Sequence, residues 1–143
     1  MSARHLTFPA ASGRPMRAYL ATPDDQTQPS PSVIVIHEFF GLNDDIRRIA
    51  RRFAEAGYAA LAPDLHDTGG PRFLCIARTM RDLGRGNGAP FDDLEAARLW
   101  LADRDDVDDE RIGVAGFCMG GGFALLYAVG APVKAAANFY GVV

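Results

Sequence analysis

A mostly parallel β-sheet with flanking helices is the fold class this sequence predicts, and three observations predict it. Val33-Ile34-Val35-Ile36 is a continuous β-branched run, the composition of a central strand buried on both faces. Short apolar runs at 58–62, 111–115 and 134–140 alternate with stretches of helical periodicity. Glycine, proline and asparagine punctuate the junctions between them. Strands that alternate with helices bury both faces of a parallel sheet.

Taken in order, residues 16–21 read as a short strand, and the polar, proline-rich stretch 23–31 reads as a loop before the central strand at 33–36. A helix follows, with Asn43 as its cap, Ile46, Ile49, Ala50 and Phe53 on one face, and Gly57 as its end. Residues 58–62 form the next strand, stopped at Pro63. Phe73, Ile76, Ala77, Met80 and Leu83 make a second helical stripe, closed by Gly84, Gly86, Asn87, Gly88 and Pro90. Asp92 and Glu95 resemble a capping box opening a third helix with Leu94, Ala97 and Leu101 on its apolar side. A strand at 111–115, a helix over 123–128 and a last strand at 134–140 complete the chain.

The 143 residues, 48% of them hydrophobic, suffice for one domain with its own core. A net charge of −3 offers no basic field for nucleic acid, and Arg47, Arg48, Arg51 and Arg52 alternate with apolar positions as the solvated face of a helix. Two cysteines, Cys75 and Cys118, are too few for a disulfide framework, and no signal core follows the amino terminus. A cytoplasmic protein is expected. No apolar run approaches the roughly 20 residues that span a bilayer.

Gly116-Phe117-Cys118-Met119-Gly120 is the stretch that carries chemistry. It lies between a strand and a helix, where flanking glycines permit a tight turn that leaves the central side chain exposed at the carboxyl edge of the sheet. This is the context of a nucleophile elbow, with cysteine where serine is commoner. A helix amino end favours thiolate. The alternative is a small buried cysteine in a glycine-rich turn.

His37-Glu38-Phe39-Phe40-Gly41-Leu42-Asn43, Ala62-Pro63-Asp64-Leu65, Gly116-Phe117-Cys118-Met119-Gly120-Gly121 and Phe139-Tyr140-Gly141, in this order and spacing, resemble the dienelactone hydrolase family. The resemblance spans nearly the whole chain. It implies an α/β-hydrolase-type sheet, truncated here after the strand that follows the elbow helix, and the opening of small lactones or esters without cofactor or metal. It also implies Cys118 as nucleophile, Met119 and Phe39 as donors of the oxyanion-hole N–H groups, and Glu38 as a carboxylate that contacts the nucleophile and helps to activate it. Glu38 could instead cap nearby N–H groups.

Arg78, Arg81 and Arg85 lie where the family places part of a substrate-carboxylate site; Arg81 is the candidate, against a solvated helix face. Tyr140 lines the crevice or is an ordinary strand-end aromatic. His37 should point away from Glu38, as neighbours at a strand end do, and is expected to be structural. His66 could face the crevice, and His5 carries no argument. The family's catalytic aspartate and histidine have no counterpart up to Val143. The expectation is a single partial domain, 1–143, that is a fragment, a processed product, a natural truncation, or a protomer that borrows the missing groups. The alternative to a hydrolase is a non-catalytic module for binding or association. An open last strand would favour a homo-oligomer.

Overall fold

A computed structural model describes residues 1–141, so Val143 lies outside the described residues. Six strands and four helices follow the chain as β1 (Ser2–Pro9), β2 (Pro15–Thr22), β3 (Ser30–Ile36), α1 (Asp44–Glu55), β4 (Ala59–Pro63), α2 (Arg72–Arg85), α3 (Ala89–Ala102), β5 (Val107–Phe117), α4 (Met119–Gly130) and β6 (Ala136–Phe139). They form one sheet in the order β1-β2-β4-β3-β5-β6. The β1/β2 and β2/β4 pairs are antiparallel, whereas β4, β3, β5 and β6 run parallel. The predicted class is therefore correct, and β1 is an addition to it. Its exposed, mixed sequence carries no burial pattern: only Phe8 is buried.

Period-two alternation along β3 divides the core. Ile34 and Ile36 turn to one face, into a cluster with Phe8, Met16, Leu61, Leu94, Leu101, Ile112 and Phe123. Val33 and Val35 turn to the other, where Ile46, Ala50 and Ala54 of α1 pack on Ala60, Ala62 and Ala115. Both isoleucines are fully buried, each contributing about 1.5–3 kcal/mol of transfer free energy. The doubly buried central strand read from the β-branched run is thus β3.

Two helix assignments need correction. In α2 the buried residues are Cys75, Thr79 and Asp82, while Phe73 is 71% exposed and Met80 and Ala77 face out. Polar groups take the inner face because they have partners there: the Thr79 hydroxyl donates to the Cys75 carbonyl at 2.8 Å, and Asp82 pairs with Arg81. Helix α3 begins at Ala89, with Gly88 as its cap and Pro90 in its first turn, so Asp92 is inside the helix and the capping box does not form. Leu94, Ala97 and Leu101 are buried as expected. Helix α1 starts as read, with the Asn43 side chain accepting the Ile46 N–H at 3.2 Å.

Candidate active site

Strand β5 passes into α4 through Cys118, whose φ of 54° and ψ of −121° lie outside the regions that L-residues favour. Cys118 and Tyr140 alone among the non-glycine described residues have positive φ. Holding such a residue costs on the order of 1–3 kcal/mol. Close backbone approach imposes it. A Cβ on Gly116 would overlap the Gly120 carbonyl, and one on Gly120 would overlap the carbonyls of Ile36 and His37, so β5, the first turn of α4 and the end of β3 meet with no room for a methyl group. Gly121 lies equally close to the Asn138 amide, and the Cys118 N–H donates to the Phe139 carbonyl at 3.0 Å.

Beyond Ile36, residues 37–41 turn over the same carboxyl edge. Parallel pairing sets Ile36 opposite Gly116 and Phe117 opposite Phe139, so the segments carrying Glu38, Cys118 and Tyr140 leave three adjacent strands side by side. Glu38 is half-buried and Phe39 is exposed, while Met119 is buried beneath the turn. The Tyr140 phenol is held above its ordinary range, first by partial desolvation, then by the Glu38 carboxylate and its hydrogen bond to it, and then by Cys118. These three side chains therefore sense one another. Among the described residues, neither the Phe39 nor the Met119 N–H has a backbone or side-chain acceptor in the protein.

Arg81 stands apart from this group. Its guanidinium contacts the neighbouring Asp82 carboxylate through both Nε (3.0 Å) and Nη2 (2.9 Å). Arg72 does reach the turn: it occupies the space a Cβ on Gly41 would need and pairs with Asp64 at 3.0 Å.

The histidines are all engaged elsewhere. His37 is fully buried, as expected of a structural residue: its Nδ1 donates to the Glu38 carbonyl at 2.7 Å and its Nε2 accepts the Leu65 N–H at 3.0 Å. His66 donates from Nε2 to the Phe39 carbonyl at 2.9 Å. Burial holds both below the ordinary histidine range, so both rings are neutral. His5 stacks on Tyr19 at the far edge of the sheet. One residue beside the elbow, Asn138, escaped the sequence reading, and His66 was only a weak candidate there. His66 carried a weak signal, its place after a parallel strand; Asn138, whose Oδ1 accepts the Gly141 N–H at 2.7 Å, carried none.

Three grooves lie away from this group. A groove of about 480 Å³ is lined by Ile49, Phe53, Phe117 and Phe139, one of about 400 Å³ runs along β5 and β6 on the same side of the sheet, and one of about 410 Å³ lies beside Ala10, Arg14 and Asp93. The first two lie between α1 and the β5/β6 part of the sheet. Strand β6 is the open edge beside them.

A strained cysteine between a parallel strand and a helix, on a sheet of this order, defines a chain of the α/β-hydrolase type. Comparison with known proteins narrows the class. The sequence profile described as "Dienelactone hydrolase family" matches residues 16–143, and the chain belongs to that family. Proteins provisionally named carboxymethylenebutenolidase are similar to it: that of Yersinia pestis is 37% identical over 140 residues, 94% of this chain and 52% of the relative. That of Escherichia coli K12 is 38% identical over 136 residues, 92% of this chain and 50% of the relative. A crystal structure provisionally named a dienelactone hydrolase, from Klebsiella pneumoniae, superposes with a TM-score of 0.86 at 31% identity, covering 99% of this chain and 60% of that one. A dienelactone hydrolase-like promiscuous phosphotriesterase from metagenomic libraries gives 0.82 at 31% identity, covering 98% and 59%. The chain spans about half the length of the curated relatives it matches. No helix of the described residues is long and apolar enough to cross a membrane.

Proposed function

We propose that this chain supplies the nucleophile and the oxyanion site of a hydrolase that opens small lactones or esters. The Cys118 thiolate attacks the ester carbonyl carbon, a C–S bond forms, and the carbonyl π pair moves onto oxygen between the Phe39 and Met119 N–H groups. Collapse of this intermediate breaks the C–O bond; the leaving alkoxide takes a proton, and water then hydrolyses the thioester. Glu38 modulates the thiol, Tyr140 lines the crevice, and Arg81 is the candidate for a substrate carboxylate. The observation that carries the reading is the strained backbone of Cys118, held at the carboxyl edge of the sheet by the close approach of β5, α4 and the end of β3.

His37 is engaged at both ring nitrogens and the bare nitrogen of His66, Nδ1, is buried, so on this reading the base that shuttles protons is supplied from outside the described residues. This chain by itself should therefore acylate and not turn over. A stoichiometric burst of p-nitrophenolate from p-nitrophenyl acetate, absent in Cys118→Ser, is the expected result; no burst and no acyl adduct at Cys118 by mass spectrometry would refute it. The open β6 edge and its apolar grooves favour a second role, association, in which further polypeptide or a second copy covers that face.

A further inference from the structure

Two buried imidazoles hold successive carbonyls of the 37–41 turn, and their tautomers follow from their partners. The Leu65 N–H can only meet a lone pair, so His37 Nε2 is bare and the ring proton sits on Nδ1, where it is donated to the Glu38 carbonyl. The Phe39 carbonyl can only accept, so His66 carries its proton on Nε2. That leaves His66 Nδ1 bare, buried and without a partner. An unpaired buried polar atom is unfavourable, and an apolar ring would avoid it. The donated bond to Phe39 is what the histidine adds.

Peptide geometry gives these bonds a purpose. The Glu38 carbonyl and the Phe39 N–H belong to one planar trans unit and point in opposite directions. Glu38 O accepts from His37 Nδ1 at 2.7 Å and from the Gly41 N–H at 3.0 Å, and two donors on the oxygen fix the direction of the hydrogen on the other side. The His66 bond restrains the following peptide. The Leu65 N–H anchors the His37 ring at Nε2, and the His66 backbone N–H donates at 3.2 Å to Asp64, which is held by Arg72 at 3.0 Å and Arg17 at 3.4 Å. Contact of Gly120 with the Ile36 and His37 carbonyls sets the turn against the first turn of α4, beside Met119.

We propose that His37 and His66 are positioning residues that aim the Phe39 N–H at the oxyanion formed on Cys118 addition, a role that rests on the ester-hydrolase reading above. Neither touches substrate. They act through the peptide planes of the turn.

The test compares two reactions of the same sulfur. Acylation by p-nitrophenyl acetate builds an oxyanion, whereas alkylation by iodoacetamide is a direct displacement at carbon and builds none. His37→Leu and His66→Leu should each slow acylation about tenfold or more and leave alkylation within about twofold. His37→Asn, which keeps a donor near the Nδ1 position, and His66→Gln, which keeps one near Nε2, should recover most of the loss. Parallel loss of both reactions, or unchanged acylation in both leucine variants, would overturn the proposal. A wild-type chain that alkylates but never acylates at Cys118 would instead overturn the reading beneath it. If the leucine variants do not fold, imidazole ¹⁵N shifts of the wild-type protein still decide: Nδ1–H at His37 and Nε2–H at His66 support the pair, and the opposite tautomer at either ring refutes it.

Discussion

Mild acid should loosen this protein well before its carboxylates protonate. His37 is pushed from the ordinary 6.5 to about 4, chiefly by burial, and His66 is lowered for the same reason. Both native pKa values lie below the unfolded one, so as pH falls the unfolded chain binds protons that the native chain refuses. Stability is complete above about pH 6.5 and is lost as pH falls toward the native values. The His37 gap corresponds to roughly 3 kcal/mol, a large part of the 5–15 kcal/mol that holds a typical domain. His66 adds in the same direction. Asp93 opposes them, because burial raises its pKa and the native state takes that proton first. The lowered Asp25, Asp44 and Asp108 are exposed and act only below their ordinary 3.8, outside this window. Urea midpoints measured between pH 8 and pH 4.5 should fall steadily below 6.5, and the slope should shrink in His37→Asn. A flat profile from pH 7 to 5, or an equal slope in the variant, would show that neither ring is held neutral by the fold.

Three further outcomes follow from the site. Limiting iodoacetamide should label Cys118 before Cys75, since Cys75 is buried in α2 with its sulfur 3.4 Å from the Gly69 carbonyl; peptide mapping that finds Cys75 first would contradict the elbow reading. Glu38→Gln should shift the pH profile of Cys118 alkylation toward lower pH by removing a negative charge from the crevice, and an unchanged profile would remove Glu38 from the site. The open β6 edge should make this chain an oligomer or aggregate in light scattering after size exclusion, an expectation that a well-behaved monomer with a cooperative melt would end.

Where one physical rule dominates, the sequence was a sufficient guide. The β-branched run at 33–36 became the doubly buried β3, Asn43 became a working cap, and the glycines at 116 and 120 lie where backbones touch. Errors arose where burial was satisfied by polar pairing. The inner face of α2 is Cys75, Thr79 and Asp82, so a hydrophobic stripe drawn through Phe73 and Met80 selected the exposed side. Asp92 and Glu95 matched a capping pattern, but Gly88 and Pro90, both ahead of Asp92, already start α3. Strand β1 is held by pairing with β2 along its whole length, a register that composition does not encode. The positions of His66 and Asn138 depend on contacts between distant segments, 27 residues apart for His66 and Phe39.

The backbone around Cys118 is held from two sides by different means. On one side Gly120 lets α4 rest on the Ile36 and His37 carbonyls, which couples the cysteine to the turn that presents the Phe39 N–H. On the other, Gly121 admits the Asn138 amide, whose oxygen also bonds the Gly141 N–H and so shapes the turn in which Tyr140 takes its φ of 47°. Cys118 closes this side itself, its N–H donating to the Phe139 carbonyl of the neighbouring strand β6. Each glycine therefore serves a different partner. An alanine at 120 would press on the Ile36 and His37 carbonyls and disturb the turn proposed to hold the oxyanion, whereas an alanine at 121 would press on the Asn138 side chain and the Gly141 backbone and disturb the Tyr140 turn. The catalytic geometry proposed for this chain is thus set by three strand ends of one sheet, β3, β5 and β6, all of which lie within the described residues. On the proposed reading, acylation of Cys118 draws on those three ends and turnover on a base supplied elsewhere.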